Sequence, residues 1–117
     1  MSKEKQKGTW FENKVVAYLA EKLGIQIERR ALGGMNDKGD IAGVRTKSGV
    51  DIVIECKNHR TYAIPVWLKE ARREAENAGG LGVVVFKAKG IGETRMGDQY
   101  VLMGLEEFAA LIGEIKA

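Results

Sequence analysis

Apolar residues set the first element. Trp10, Phe11, Val15, Val16, Tyr18, Leu19 and Leu23 recur near a 3.6-residue period, which predicts a helix over residues 9–23. Thr9 with Glu12 three residues later forms a capping-box pattern, and Gly24 suits the C-terminal cap. Residues 1–8 are polar and read as a flexible basic tail ahead of a single domain over 9–117. The period then changes. Ile25, Ile27 and Arg29 alternate with Gln26, Glu28 and Arg30, which predicts a strand. A glycine-rich loop over 33–39 leads to a second strand at 40–44. A turn at 47–49 leads to a third at 50–57, whose centre, Ile52-Val53-Ile54, is apolar on both faces as in a central strand. Pro65 opens a helix over 65–78 with one heavily charged face, stopped by Gly79-Gly80. A buried strand at 82–87, a loop at 89–98, a short strand at 100–103 and an amphipathic helix at 105–115 complete the chain. The order α-β-β-β-α-β-β-α predicts an α/β fold, a mixed sheet flanked by helices.

Composition narrows the function classes. With 117 residues, 44% of them hydrophobic, the chain supports one modest core. One cysteine, Cys56, excludes an internal disulfide framework and a cysteine-rich zinc site, and one histidine, His59, excludes a multi-histidine zinc catalyst. No apolar run approaches the ~20 residues of a membrane span. The basic start is followed by no apolar leader core, so a cytoplasmic location is expected. Phosphate-loop, dinucleotide-binding and EF-hand patterns are missing. Cys56 lies on a strand whose alternation turns it into the core, away from thiol chemistry.

The feature left over is acidic. Glu55 and Lys57 stand two apart at the end of a buried strand, so they share a face. Asp40 opens the preceding strand. If the two strands form a hairpin, Asp40 lies near Glu55. Two carboxylates at one sheet end repel each other, and a divalent cation would resolve the conflict; oxygen ligands favour Mg²⁺ or Mn²⁺. Lys57 beside them could polarise a water and offset developing negative charge. The spacing equally fits a solvated Glu55–Lys57 pair and a turn role for Asp40.

Gly39-Asp40-Ile41 followed by Glu55-Cys56-Lys57 resembles the signature of the PD-(D/E)XK, or restriction-endonuclease-like, nucleases. Glu12 matches the upstream helix glutamate of several branches, and the element order resembles their core. Within that superfamily, the short chain and the stretch Glu55-Cys56-Lys57-Asn58-His59 are most similar to small Holliday junction resolvases of archaeal and phage type. Gly39 stands where the motif has proline. No Gln-x-x-x-Tyr lies on the helix at 65–78, unlike the exonuclease branches. The resemblance implies Asp40 and Glu55 as metal ligands with the Cys56 carbonyl, and Lys57 as the residue that orients water or stabilises the transition state. Glu12 would complete the cluster, directly or through a water, in competition with capping Thr9. It implies a Mg²⁺-dependent endodeoxyribonuclease, for which Mn²⁺ substitutes, cutting branched DNA by in-line attack of water. A flap or nicking enzyme and a non-catalytic nucleic-acid-binding module are the alternatives.

Charge supports a nucleic-acid partner. Residues 1–60 carry +4 and residues 61–117 carry −1, so the excess accompanies the acidic cluster. Lys3, Lys5 and Lys7 could track phosphates. Arg29, Arg30, Lys38, Arg45, Lys47, His59 and Arg60 flank the predicted sheet end, and Lys89 and Arg95 sit on a loop that could reach a second duplex. No base-reading helix is evident, so structure-selective binding is expected. Two symmetric cuts at a four-way junction imply a homodimer.

Overall fold

The computed structural model describes residues 2–30 and 39–116. Among the described residues, three helices and five strands follow in the predicted order: α1 (Lys3–Leu23), β1 (Glu28–Arg29), β2 (Ile41–Ala42), β3 (Ile52–Lys57), α2 (Ile64–Ala78), β4 (Leu81–Phe86), β5 (Tyr100–Leu102) and α3 (Leu105–Lys116). The strands form one sheet in chain order. The β3–β4 pair is parallel and the other pairs are antiparallel. The expected α/β fold, a mixed sheet flanked by helices, is therefore present.

Helix α1 corrects one expectation. It begins at Lys3, so residues 3–7 are helical and do not form a tail. Ser2 is the N-cap, and its hydroxyl accepts from the Lys5 amide at 3.1 Å. Lys, Glu and Gln are good helix formers, so a helix fixed by packing further on extends back to the first side chain able to cap it. Thr9 falls inside the helix, the capping box does not form, and Glu12 is left for tertiary contacts. The early strands are shorter than predicted. The β2–β3 ladder holds Ile41 against Ile54 and resumes only as a bridge between Arg45 and Asp51. The loop at 89–98 contains a 3-10 helix, Glu93–Asp98, packed against α1 through the Lys14–Glu93 ion pair at 2.8 Å. It is therefore anchored to the body of the protein and is not an extended arm.

Alternation along β3 divides the core. Ile54 and Cys56 meet Phe11 and Val15 of α1, with Ile27, Ile41 and Val83. On the other face Trp67 and Ala71 of α2 cover Val84 and Phe86. Helix and sheet approach closely there: a Cβ on Gly82 would collide with the Ala71 carbonyl oxygen. The parallel crossover β3–α2–β4 thus places one face of α2 over the strand that carries Glu55 and Lys57. Among the described residues, no helix is long and apolar enough to cross a membrane.

Candidate metal centre and nucleic-acid cleft

The β2–β3 hairpin builds the site. The Asp40 amide donates to the Ile54 carbonyl at 2.8 Å, and Asp40 Oδ2 accepts from the Cys56 amide at 2.7 Å. Those two bonds clamp Asp40 beside β3. Gly39 makes the entry possible. Its φ of 93° is unavailable to proline, and a Cβ there would stand 2.8 Å from Val53 Cγ1. The proline of the motif is thus incompatible with this backbone. Asp40 and Glu55 are both buried and line the same cleft. Along β3 the Ile54 carbonyl faces β2, while that of Lys57 faces β4, where it accepts from the Lys87 amide. Alternation therefore turns the Cys56 carbonyl to the Asp40 side, as its own N–H is.

Glu55 and Lys57 project from the opposite face of β3 to Ile54 and Cys56, towards α2. Two residues that the motif did not mark, Glu70 and Glu74, wait there. Lys57 Nζ lies 2.8 Å from Glu70 Oε2 and 3.6 Å from Glu55 Oε1. Glu55, Glu70 and Glu74 each offer a carboxylate oxygen within 4.8 Å of the others. On the sequence alone these α2 acids belong to a charged outer face, yet Glu74 is only 2% exposed. The signal that finds them is spacing: Glu70 and Glu74 follow Trp67 by three and seven residues, at positions that face the core.

The electrostatics are those of a desolvated acidic cluster. Burial first, then the neighbouring Glu55, raises the Asp40 pKa to about 8, against the opposing pull of the Cys56 N–H. Burial first, then Glu74, raises that of Glu55 to about 9, although Lys57 opposes the shift. Burial pulls Lys57 down, but its bond to Glu70 and the charges of Glu55, Glu70 and Asp40 outweigh this. The net shift is upward, so Lys57 is an ammonium and not a base. Burial raises the Cys56 thiol well above its usual range, which keeps it out of nucleophilic chemistry. Glu55 Oε2 is buried and has no hydrogen-bond partner among the described residues. Crowded carboxylates, a bare buried oxygen and no soft ligand in play form a donor set that fits a hard divalent cation. The three glutamates Glu55, Glu70 and Glu74 could hold one.

A cleft of about 390 Å³ opens onto Asp40 and Glu55, while Glu70 and Glu74 are not among its lining residues. Glu12, Asp40, Glu55 and Lys57 line it, and Lys7, His59 and Arg60 stand at its walls. Glu12 accepts from Arg29 Nε at 2.8 Å, so its predicted capping role is replaced by an ion pair. Asn58 ties the cleft wall to α1 through the Lys7 carbonyl at 3.2 Å. The other predicted phosphate contacts are more dispersed. Lys3 and Lys5 are exposed on the first turns of α1, and Arg29 is engaged by Glu12. Arg45 pairs with Asp51 at 2.7 Å and, with Lys47, lines a groove beside α3 away from the acids. Arg95 pairs with Asp98 at 2.9 Å beside α1, and the Lys89 ammonium lies over the Tyr62 ring. Arg30 donates its amide to the Asp40 carbonyl at 2.6 Å, which secures the strand before the site. Lys38 and the Gly33-Gly34 part of the glycine loop lie outside the described residues.

Comparison with known proteins gives one finding. The family model described as "Phage putative PDDEXK endonuclease" matches residues 3–116. No curated protein and no solved structure matches the chain. The family implies a nucleic acid as partner in general terms, and Lys7, His59 and Arg60 stand at the cleft together with Glu4. The match spans the hairpin that clamps Asp40, the strand that presents Glu55 and Lys57, and the helix that adds Glu70 and Glu74, and the chain belongs to this phage PDDEXK endonuclease family.

Proposed function

We propose that the protein is a Mg²⁺-dependent, structure-selective DNA endonuclease, and that a Holliday junction is the branched substrate it resolves as a homodimer. The observation that carries the nuclease reading is that two buried carboxyls, Asp40 and Glu55, line one cleft beside the Lys57 ammonium, 3.6 Å from Glu55. A divalent cation held there would supply Lewis-acid activation of water and neutralise charge at the phosphate. Asp40, Glu55 and the Cys56 carbonyl would hold it from the β3 side, with Glu12 on the α1 side. Lys57 would stabilise charge developing on the phosphate oxygens; Glu70 keeps its ammonium in place at 2.8 Å. Lys7, His59 and Arg60 would position the backbone without reading bases. Small size and the lack of a base-reading helix support selection by DNA shape, and two symmetric cuts support a pair of chains.

The test is cleavage of labelled four-way junction, flap and linear duplex in Mg²⁺ and in EDTA, beside Glu55→Ala and Lys57→Ala. Junction cleavage abolished by EDTA and by either substitution is the expected result. Flap cleavage without junction cleavage would move the substrate to flaps. Tight junction binding with no cleavage in any divalent metal would sink the enzyme reading.

A further inference from the structure

Helix α3 carries a second pattern. Leu105, Phe108, Ile112 and Ile115 follow one another at intervals of three, four and three, the a/d spacing of a helix-pairing seam. In the fold this seam faces outward: the four residues are 81%, 49%, 38% and 72% exposed. The rotation of the helix is fixed from its other flank. Glu107 takes Arg72 Nε and Nη2 at 3.0 and 2.9 Å, and Glu114 accepts from Thr46 Oγ1 at 3.1 Å and from Ser48. These ties hold the acids against the body and leave the stripe apolar, with the small residues Ala109 and Gly113 beside it. A Cβ on Gly113 would meet nothing within 4 Å.

We propose that the α3 seam is the interface through which two copies of this chain pair. Three points select a copy as the occupant. The four stripe residues are themselves uncharged, although Ile115 shares a groove with Arg45, Lys47 and Glu114, and an identical stripe supplies matching knobs at matching intervals. A two-fold pair is isologous, and each seam is covered by the other in one step. The exposed area of the four residues, backbone included, is roughly 500 Å² per copy, so complete burial gives at most about 1,000 Å² for the pair, the low end for a specific interface. Geometry agrees with use. Glu114 binds the turn that precedes β3, whereas the acidic cleft lies past its far end, roughly 20 Å away at the usual rise per residue. Pairing at α3 therefore leaves both clefts open. This deepens the homodimer of the proposed function and rests on that reading only for its purpose, since the readout below is mass and not cleavage.

The experiment is sedimentation velocity on the full chain at about 1–100 µM, a range that brackets micromolar association, with Leu105→Glu/Ile115→Glu and the control Val101→Glu, which alters an exposed apolar residue on β5. Wild type and control are expected at twice the 12.9 kDa chain mass. The double variant is expected as a folded monomer by circular dichroism, with dimerisation weakened about 100-fold or more by four unpaired buried charges. Ile112→Cys gives a second readout independent of any loss of folding. Cys56, the one native thiol, is buried, so a short bis-maleimide should link two chains through position 112. A monomeric wild type, with the face left to some other partner, would overturn the proposal. So would a dimer that survives both glutamates, or no cross-link at 112 in a dimeric protein.

Discussion

The metal-free protein should lose stability as pH rises from 5 to 8, opposite to the trend set by ordinary paired carboxylates. Asp40 moves from 3.8 to about 8 and Glu55 from 4.5 to about 9 on folding. Between those limits the folded chain holds protons that the unfolded chain has released. The unfolding free energy therefore falls with pH through this window, and the stability is fully present only below the unfolded pKa values. One pKa unit is worth about 1.36 kcal/mol, and the two acids titrate as a pair whose shifts do not add, so one proton over three pH units sets a ceiling of about 4 kcal/mol. Relaxation of the cleft and entry of water should leave about 2–4 kcal/mol. At about 4 °C per kcal/mol for a chain of this length, Tm should fall by about 10–15 °C. The assay is a thermal melt at constant ionic strength in EDTA at four pH values, then in Mg²⁺. A cation prefers the ionised acids, so the Mg²⁺ increment should be larger at pH 8 than at pH 5; saturation at 100 times Kd gives about 2.7 kcal/mol. Asp40→Asn, which keeps an oxygen for the Cys56 amide, should flatten the slope. A melt in EDTA that is level or rises with pH, or a slope unchanged in Asp40→Asn, would refute the desolvated-cluster account.

Other expectations are simpler to test. Glu74→Gln removes a buried carboxyl that presses on Glu55; it should stabilise the metal-free protein at pH 8 by about 1–3 kcal/mol in urea titrations. Lys57→Met keeps most of the aliphatic volume and removes the ammonium; cleavage should drop by about 10²–10³-fold while a metal-induced Tm increment persists, and unchanged cleavage would remove Lys57 from the chemistry. Gly39→Ala forces a side chain into a backbone at φ 93° and against Val53, so unfolding in urea should show a loss of about 1–3 kcal/mol. Phe11→Ala empties the α1 side of the core, where the ring is fully buried, and should cost about 3–5 kcal/mol by the same measurement.

Local pattern specifies the elements and half of the site. Hydrophobic period is a local property, so α2, β3, β4 and the closing helix stand close to where their periodicity puts them. A carboxylate and an ammonium two residues apart on a strand share a face in any fold. The hairpin that brings Asp40 to Glu55 was legible for the same reason, because short antiparallel connections leave few alternatives. Tertiary structure decided the rest. The start of α1 depended on a cap at Ser2 and on propagation from packed turns, so the capping box at Thr9 gave way and Glu12 turned to Arg29. Glu70 and Glu74 became part of the site because a parallel crossover lays α2 over β3. That contact joins residues 15 and 19 positions apart and leaves only the spacing from Trp67 as a local trace. Which basic groups stand at the cleft was likewise a matter of packing. Lys7, His59 and Arg60 arrive there, while Arg45 and Arg95, equally basic in sequence, are fixed to neighbouring acids elsewhere. The a/d seam of α3 was always present in the spacing, but only the fold turned it outward, because Glu107 and Glu114 found partners on α2 and the β2–β3 turn. Local chemistry thus chose the candidates, and the long-range contacts that desolvate some charges and leave others in water chose among them.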